Sequence, residues 1–314
     1  MRKLATVASL VESYLAARRS AGFDLREAGS QLRAFARFAN QRRHRGPITR
    51  SLALDWAQSS KHGRPITAAR RVEVLRPFMK HCVALGCASE TLPPGVCGPA
   101  HRRLTPHIYT DSEIRDLLEA AMRLPPTGGL RPLCYKTLFG LLAVTAMRIS
   151  EALGLESADV DLDQGLLTIR KTKFRKSRVV PIDRTTASAL RGYQEVRQQH
   201  AVATGCPAFF VSAIGKPLPS RTVHDVFRRL RDELGWHSRG SHPHPRLHDL
   251  RHTFICRALV RSQQNAVPAD RVVDTIATYV GHAKVSDTYW YLSAIPELLG
   301  AAADRFAPST GGER

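Results

Sequence analysis

Four stretches in the second half of this chain hold residue types that a purely structural protein has little use for. The first, Thr145-Ala146-Met147-Arg148-Ile149-Ser150-Glu151, sets an arginine just after the apolar run Leu138–Val144 and before Ala152-Leu153. A guanidinium at the junction of two apolar helices is partly buried and needs an anion. Glu151 can supply it from within the chain, or a phosphate oxygen from outside. The second stretch carries Arg170, Lys171, Lys173, Arg175, Lys176 and Arg178, six basic residues in nine positions. Such a run is a solvated turn, or a finger laid in a nucleic-acid groove that delivers one lysine to a reacting phosphate. The third is Leu247-His248-Asp249-Leu250-Arg251-His252. His248 and Arg251 stand three apart, so on a helix they share a face and can grip one anion together. His248 and His252 at i, i+4, with His242 and His244 upstream, also admit a zinc site; no carboxylate or thiol stands nearby at ligand spacing. The fourth, Val280-Gly281-His282, is followed nine residues beyond the histidine by Tyr291, with Tyr289 as a nearer tyrosine.

The elements that must position these groups are mostly helical. Leu4, Val7, Val11, Tyr14 and Leu15 fall on one helical face, with Gly22 as a stop, and Leu32, Phe35, Phe38 and Ala39 form a second stripe. Thr49 can cap a third helix through Leu52, Leu54 and Trp56. Thr67 can cap a fourth, with Val72, Leu75, Phe78, Met79, Cys82 and Leu85 inward and Gly86 closing it. Four helices over residues 1–90 predict a compact bundle. Arg18, Arg19, Arg33, Arg37, Arg70 and Arg71 recur on its polar faces and together suit a DNA-backbone footprint. Residues 91–109, proline-rich and without period, read as a linker. Thr110 with Glu113 forms a capping box that opens a second domain over 110–308. There, Leu166–Ile169 and Arg178–Ile182 read as a β-hairpin, Ala208–Val211 as a short strand, and helices run around Ala187–Val196 and from Ser220 or Thr222. Residues 309–314 read as a disordered tail. The fold class is therefore mainly α with a small β-hairpin or sheet.

Charge narrows the partner. Lys and Arg number 47 against 27 Asp and Glu, a net +20. Residues 1–105 carry 19 basic and 6 acidic side chains, net +13, and the remainder net +7. An excess spread over half a chain suits a polyanion better than a small acidic substrate, because each phosphate neutralised releases condensed counterions. No apolar run approaches the ~20 residues of a membrane span, and the start of the chain has no signal-peptide core. Six cysteines without a CxxC pair suit reduced thiols in a cytoplasmic protein.

Taken in order, arginine, lysine, His-x-x-Arg, Gly-His and tyrosine form a specific set. On these residues the chain resembles the tyrosine recombinases, the phage-integrase and Xer-like family. Arg148 in "TAMRISEALGL" matches the family's first arginine, with Ala146 where a glycine is common. Lys173 in "TKFRKSRVVPI" matches the hairpin lysine, with Lys171 and Lys176 as rivals in a turn that is not the usual glycine-rich one. His248 and Arg251 match the His-x-x-Arg box, His282 the Gly-His box, and Tyr291 the nucleophile; Tyr289 is two residues short of the family spacing. The resemblance implies a four-helix SAM-like core-binding domain followed by a catalytic domain. It also implies DNA cleavage and rejoining through a 3′-phosphotyrosyl link. Arg148 and Arg251 would grip the non-bridging oxygens, Lys173 would serve as general acid, and His248 and His282 would act on the phosphate. It implies no ATP or metal cofactor, double-stranded DNA as partner, and a homo-tetramer on two sites, held by a C-terminal helix through residues 295–306. Localisation would be cytoplasmic, at the nucleoid. The "DTYWYLSAIPELL" and "TKFRKSR" strings look more like integrases and transposases of mobile elements than Xer dimer resolvases. A catalytically silent DNA-binding regulator is the alternative from another class, and the intact set of six residues argues against it.

Overall fold

The computed structural model describes residues 6–59, 65–87, 90–100, 103–170, 177–200, 205–265, 267, 269–282 and 284–294. The chain divides into two compact units, Met1–Arg103 and Leu104–Arg314. That division falls within the stretch 91–109, whose Leu92 packs into the first core while His107 and Tyr109 are buried in the second unit.

The first unit holds α1 (Val7–Ser20), α2 (Arg26–Gln41), α3 (Arg50–Gln58) and α4 (Pro65–Ala84). Its core collects the periodic apolar positions: Val7, Val11, Tyr14 and Leu15 from α1, Leu32 and Phe35 from α2, Trp56 from α3, and Val72, Leu75, Phe78 and Met79 from α4. Phe35 is the centre of an aromatic cluster, its ring 5.4 Å from Trp56 and 6.4 Å from Phe78, both edge-on. Thr49 caps α3 as expected, its hydroxyl accepting from the Leu52 amide at 3.2 Å. Thr67 caps nothing: α4 is already helical at Pro65, whose fixed φ and missing N–H suit a first turn. Gly86, with φ +68°, follows the end of α4 at Ala84, and Leu85, expected inward, is 55% exposed because it lies past the last helical turn and off the buried face.

Part of the expected basic footprint is engaged within this unit. Arg33 holds Glu12 with a forked pair at 2.7 and 3.0 Å. Arg71 donates to the Trp56 carbonyl at 2.7 Å and lies over its ring. Arg18 covers the Phe23 ring. Arg70 donates to the Ala100 carbonyl at 3.4 Å, and Arg19 and Arg37 remain exposed.

The second unit begins with α5 (Asp111–Met122), opened by a complete capping box in which Thr110 and Glu113 satisfy each other's amides at 2.7 and 3.1 Å. The apolar helix α6 (Leu130–Thr145) runs through its centre, buried on nearly every side. A short α7 (Ile149–Leu153) leads to a three-stranded antiparallel sheet of β1 (Val160–Asp161), β2 (Leu166–Ile169) and β3 (Arg178–Pro181). The expected hairpin is present, with Leu167 opposite Val180 and Ile169 opposite Arg178, and β1 adds a strand too short to be visible in the sequence. Next come α8 (Arg184–Gln199), α9 (Ser220–Glu233), α10 (Asp249–Gln264), α11 (Ala269–Val280) and α12 (Ser286–Ala294).

Ala208–Val211 is not a strand; it makes only isolated bridges, Glu156 with Ala208 and Val211 with Pro217. Phe209 and Phe210 are both fully buried, so the side chains do not alternate between core and solvent. Side chains of α8 take the place of a strand partner. The Tyr193 hydroxyl donates to the Phe209 carbonyl at 3.1 Å and accepts from the Val211 amide at 3.2 Å, while Arg197 donates to the Ala208 carbonyl at 2.9 Å.

The helical start at Leu4, the segment 295–306 and the tail 309–314 lie outside the described residues. Phe35→Ala should destabilise the first unit by about 3–5 kcal/mol through loss of the buried ring and the cavity left behind. Urea unfolding followed by Trp56 fluorescence checks it, with a lowered midpoint expected.

Candidate active site

α6 ends in a tight reversal. Ala146 takes a left-handed φ of +52°, which turns the chain so that Arg148 becomes the N-cap of α7. A non-glycine residue in that region costs roughly 1–2 kcal/mol, and the carbonyl it presents is used: Arg251 Nη1 donates to it at 2.5 Å. Three residues on, Glu151 accepts from the Arg148 amide at 2.9 Å and from Arg148 Nη1 at 2.8 Å. The internal partner foreseen for Arg148 is therefore real. It is also shared, because Arg178 donates through both terminal nitrogens to the same carboxylate at 3.0 and 2.8 Å. Arg178 belongs to the basic run of the hairpin, yet it points inward with 14% of its side chain exposed. Burial alone would raise the Glu151 pKa, but the hydrogen bonds from Arg178 and Arg148 outweigh it and bring it to about 2.

The same arginines close the end of α11. A helix terminus leaves its last carbonyls without intrahelical donors and carries a partial negative charge. Here three consecutive carbonyls each receive one arginine: Tyr279 from Arg178 Nε at 3.0 Å, Val280 from Arg251 Nη2 at 2.8 Å, and Gly281 from Arg148 Nη2 at 3.0 Å. Gly281 has φ +69°, and a Schellman closure forms around it. Its amide reaches the Thr278 carbonyl at 3.1 Å and the His282 amide reaches that of Ala277 at 2.9 Å. A Cβ on Gly281 would lie 2.6 Å from Arg178 Nη1, so the Gly-His pair is set by the turn and by the arginine against it. His282 then points its Nδ1 at the Thr288 hydroxyl at 2.7 Å. Burial, with Arg251 next, lowers its pKa to about 4.

α10 supplies the rest. His248 is its N-cap residue, exposed at one edge; the protein packed around the ring, with Arg251 and Arg246, holds its pKa down to about 4. Arg251 is 3% exposed, and burial followed by the repulsion of Arg148 lowers its pKa to about 10, which leaves it protonated at neutral pH. Tyr291 is 3% exposed on α12, packed with Ala146, Ile255, Cys256 and Ile276, while Tyr289 is 43% exposed. The Tyr291 hydroxyl lies 2.5 Å from His252 Nδ1.

Of the six residues singled out from the sequence, Arg148, His248, Arg251, His282 and Tyr291 are thus gathered around the end of α11 and the start of α10. Lys173, like its rivals Lys171 and Lys176, lies outside the described residues. His242 and His244 join no ligand set with His248 and His252: among the described residues no group of three or more His, Cys, Asp or Glu is placed to hold a metal ion.

The profile of the Phage integrase family matches residues 108–297, the stretch that contains every one of these groups. The chain belongs to the phage integrase family of tyrosine recombinases. A Sinorhizobium fredii (strain NGR234) protein named as the integrase/recombinase y4rB is 38% identical over 96% of this chain and 97% of its own length. The tyrosine recombinase XerD of Mycobacterium tuberculosis is 31% identical over 76% of this chain and 75% of its own. Among solved structures, the Tn1549 transposon integrase in complex with transposon right end DNA covers 96% of this chain and 100% of its own, with TM-score 0.67 and 16% identity. XerH recombinase bound to a palindromic difH substrate covers 89% and 78%, with TM-score 0.64 and 19% identity. The fold is that of the tyrosine recombinases.

Five of the residues gathered here stand out in the sequence, but the connections among them do not. Glu151 could be found from its spacing to Arg148. Arg178 carries no sequence signal beyond a charge run, and His252 stands out in the sequence only as half of a zinc alternative.

Glu151 has a folded pKa below its unfolded value, so its contribution is present above the unfolded pKa and lost as the pH falls through the folded one. From 4.5 to about 2, the shift is worth about 3 kcal/mol at neutral pH and disappears across that window. Glu151→Gln should therefore lower stability by about 3 kcal/mol at pH 7 and by much less near pH 2.5, in chemical unfolding at the two pH values.

Proposed function

We propose that this integrase-family chain is a site-specific DNA recombinase that cuts and rejoins double-stranded DNA through a covalent 3′-phosphotyrosyl intermediate. The observation that carries the reading is that Tyr291 shares one small core with Ala146, whose carbonyl Arg251 holds, and lies within electrostatic reach of Arg251, as Arg148 does.

Tyr291 Oη attacks the scissile phosphorus as its proton passes to solvent with the help of His248; the O–P bond forms and the bond to the 5′-oxygen breaks. The leaving 5′-oxygen takes a proton from a general acid, for which Lys173, between β2 and β3 in the sequence, is our choice, and a free 5′-hydroxyl results. Arg148 and Arg251 face the non-bridging oxygens, where negative charge builds in the transition state. The bonds described above use two of the five N–H donors on each guanidinium. Losing one such donor costs roughly 10²–10³ in rate. His282 donates to a phosphate oxygen, and His248, at the exposed rim, assists proton transfer or holds the phosphate. Rejoining is the reverse attack by a 5′-hydroxyl. The ester stores the energy of the broken bond, so the scheme calls on no ATP and no metal cofactor.

The net +13 of residues 1–105 supports a role for the first unit as a DNA-backbone clamp, the core-binding domain. Two sites are joined at once in such a reaction, which favours a homo-tetramer on DNA; a lambda integrase tetramer bound to a Holliday junction shares the fold, with TM-score 0.63. The work belongs at the nucleoid, in the cytoplasm; among the described residues no helix is long and apolar enough to cross a membrane. The 38% identity to a named integrase/recombinase, against 31% to XerD, favours integration, transposition or excision of a mobile element over resolution of chromosome dimers.

Tyr291→Phe should abolish covalent trapping on a nicked suicide substrate while DNA binding stays within about 3-fold, whereas Tyr289→Phe should still form the adduct; gel analysis of the trapped species reads both. Adduct formation by the Tyr291 variant would overturn the assignment. Lys173→Ala should slow cleavage by about 10²–10⁴-fold, and a 5′-phosphorothiolate, whose leaving group needs no proton, should restore it. If the thiolate substrate is equally slow, the acid is another residue.

A further inference from the structure

Tyr291 meets one polar side chain that belongs to no part of the scheme above. His252 is the residue after Arg251, on the first turns of α10, and its Nδ1 lies 2.5 Å from the Tyr291 hydroxyl across 39 residues of sequence. A tyrosine as enclosed as Tyr291 cannot turn its hydroxyl freely to bulk water, and a buried hydroxyl needs a partner. The imidazole is itself held. The His248 ring stands edge-on to it with centroids 4.8 Å apart, and the Trp290 ring lies on the α12 side at 6.4 Å.

We propose that His252 is the positioning residue for the nucleophile, accepting the Tyr291 hydrogen bond at Nδ1 and so fixing the direction in which the phenol oxygen presents its lone pairs. This rests on the reading of Tyr291 as nucleophile.

Two roles are open to an imidazole in this place, orienting the phenol or removing its proton, and magnitudes choose between them. Burial, then His248, Arg246, Arg251 and His242, the titratable and charged groups around it, push the His252 pKa down to about 2. An ordinary phenol has a pKa of about 10. Transfer between them is uphill by about eight powers of ten, far beyond what a useful base can carry. The neutral ring is instead an unchanging acceptor across the working pH range. With Nδ1 accepting, the ring hydrogen sits on Nε2. A nucleophile whose oxygen is misaimed by about 1 Å loses on the order of 10² in rate, which gives positioning a measurable size.

The test is the rate of adduct formation by the full chain on a nicked suicide substrate at saturating DNA, from pH 6 to 9. Asparagine places its amide where Nδ1 stands but cannot carry a proton, and glutamine places its amide near Nε2. His252→Asn should cleave within about 3-fold of wild type with the same pH profile, whereas His252→Gln and His252→Ala should be slower by about 10²-fold with unchanged DNA affinity. Where the alanine variant fails to fold, the asparagine-against-glutamine order decides. Wild-type rates for the alanine or glutamine variants overturn the proposal. An asparagine variant as slow as the alanine one, with a shifted pH limb, overturns it too and makes His252 a proton carrier. Tyr291→Phe in the same assay separates the two layers: an adduct there refutes the underlying nucleophile assignment, whatever the His252 variants do.

Discussion

Glu151 stands between two arginines that would otherwise repel each other, and the site around it exists because that carboxylate stays charged. Three charges confined to one spot are costly to bury, and a buried pair left with one member missing costs about 3–5 kcal/mol. Here the cost is met by geometry. Glu151 takes four hydrogen bonds, from the Arg148 amide, the Arg148 side chain and both ends of the Arg178 fork. The pair of arginines keeps a net positive charge, which Arg251 augments from α10. An anionic phosphodiester is the natural counter-charge for such a cluster, whereas a protein without an anionic partner would gain little by collecting three arginines around one carboxylate.

The end of α11 turns that cluster into a defined shape. Carbonyls of Tyr279, Val280 and Gly281 each take one guanidinium, so the helix terminus fixes the arginines and the arginines fix the helix terminus. His282 follows directly from the Schellman turn, and the Ala146 carbonyl anchors Arg251 from the far side. Tyr291 packs on the same small core as Ala146, Val273 and Val280. Displacing any one member therefore moves the others. This coupling accounts for the strain accepted at Ala146 and for the lack of room at Gly281.

Much of this architecture was readable before any coordinates. Apolar spacing located the four helices of the first unit and α5, α6, α8 and α9 of the second but marked neither α11 nor α12, the Thr110–Glu113 pair announced its own capping box, and the β-prone runs on either side of the basic run gave the hairpin its partners. The expectations that failed were those where tertiary contacts replace local pattern. Ala208–Val211 has the composition of a strand, but its backbone groups go to scattered partners, Tyr193 and Arg197 of α8 together with the Leu155 carbonyl and the Leu218 amide, and not to one neighbouring strand. Thr67 has the chemistry of a cap, but Pro65 lies ahead of it within the helix. In the site, residue types in order pointed to Arg148, His248, Arg251, His282 and Tyr291. What they could not show is that three arginines share backbone carbonyls as acceptors, since every residue has a carbonyl and none stands out in a sequence. Arg178 and His252 stayed hidden for the related reason that their partners, Glu151 and Tyr291, lie 27 and 39 positions away.

In the proposed chemistry Tyr291, enclosed beside the arginine cluster, joins the protein to DNA through its Oη. Tandem mass spectrometry of the trapped protein–DNA complex, after nuclease and trypsin digestion, reads this without a substitution. Trypsin would release one peptide between Lys284 and Arg305 that holds both Tyr289 and Tyr291, and fragmentation between them locates the nucleotide remnant. The account predicts a 3′-phosphonucleotide mass on Tyr291 alone; the same mass on Tyr289, or on any residue outside that peptide, would contradict it.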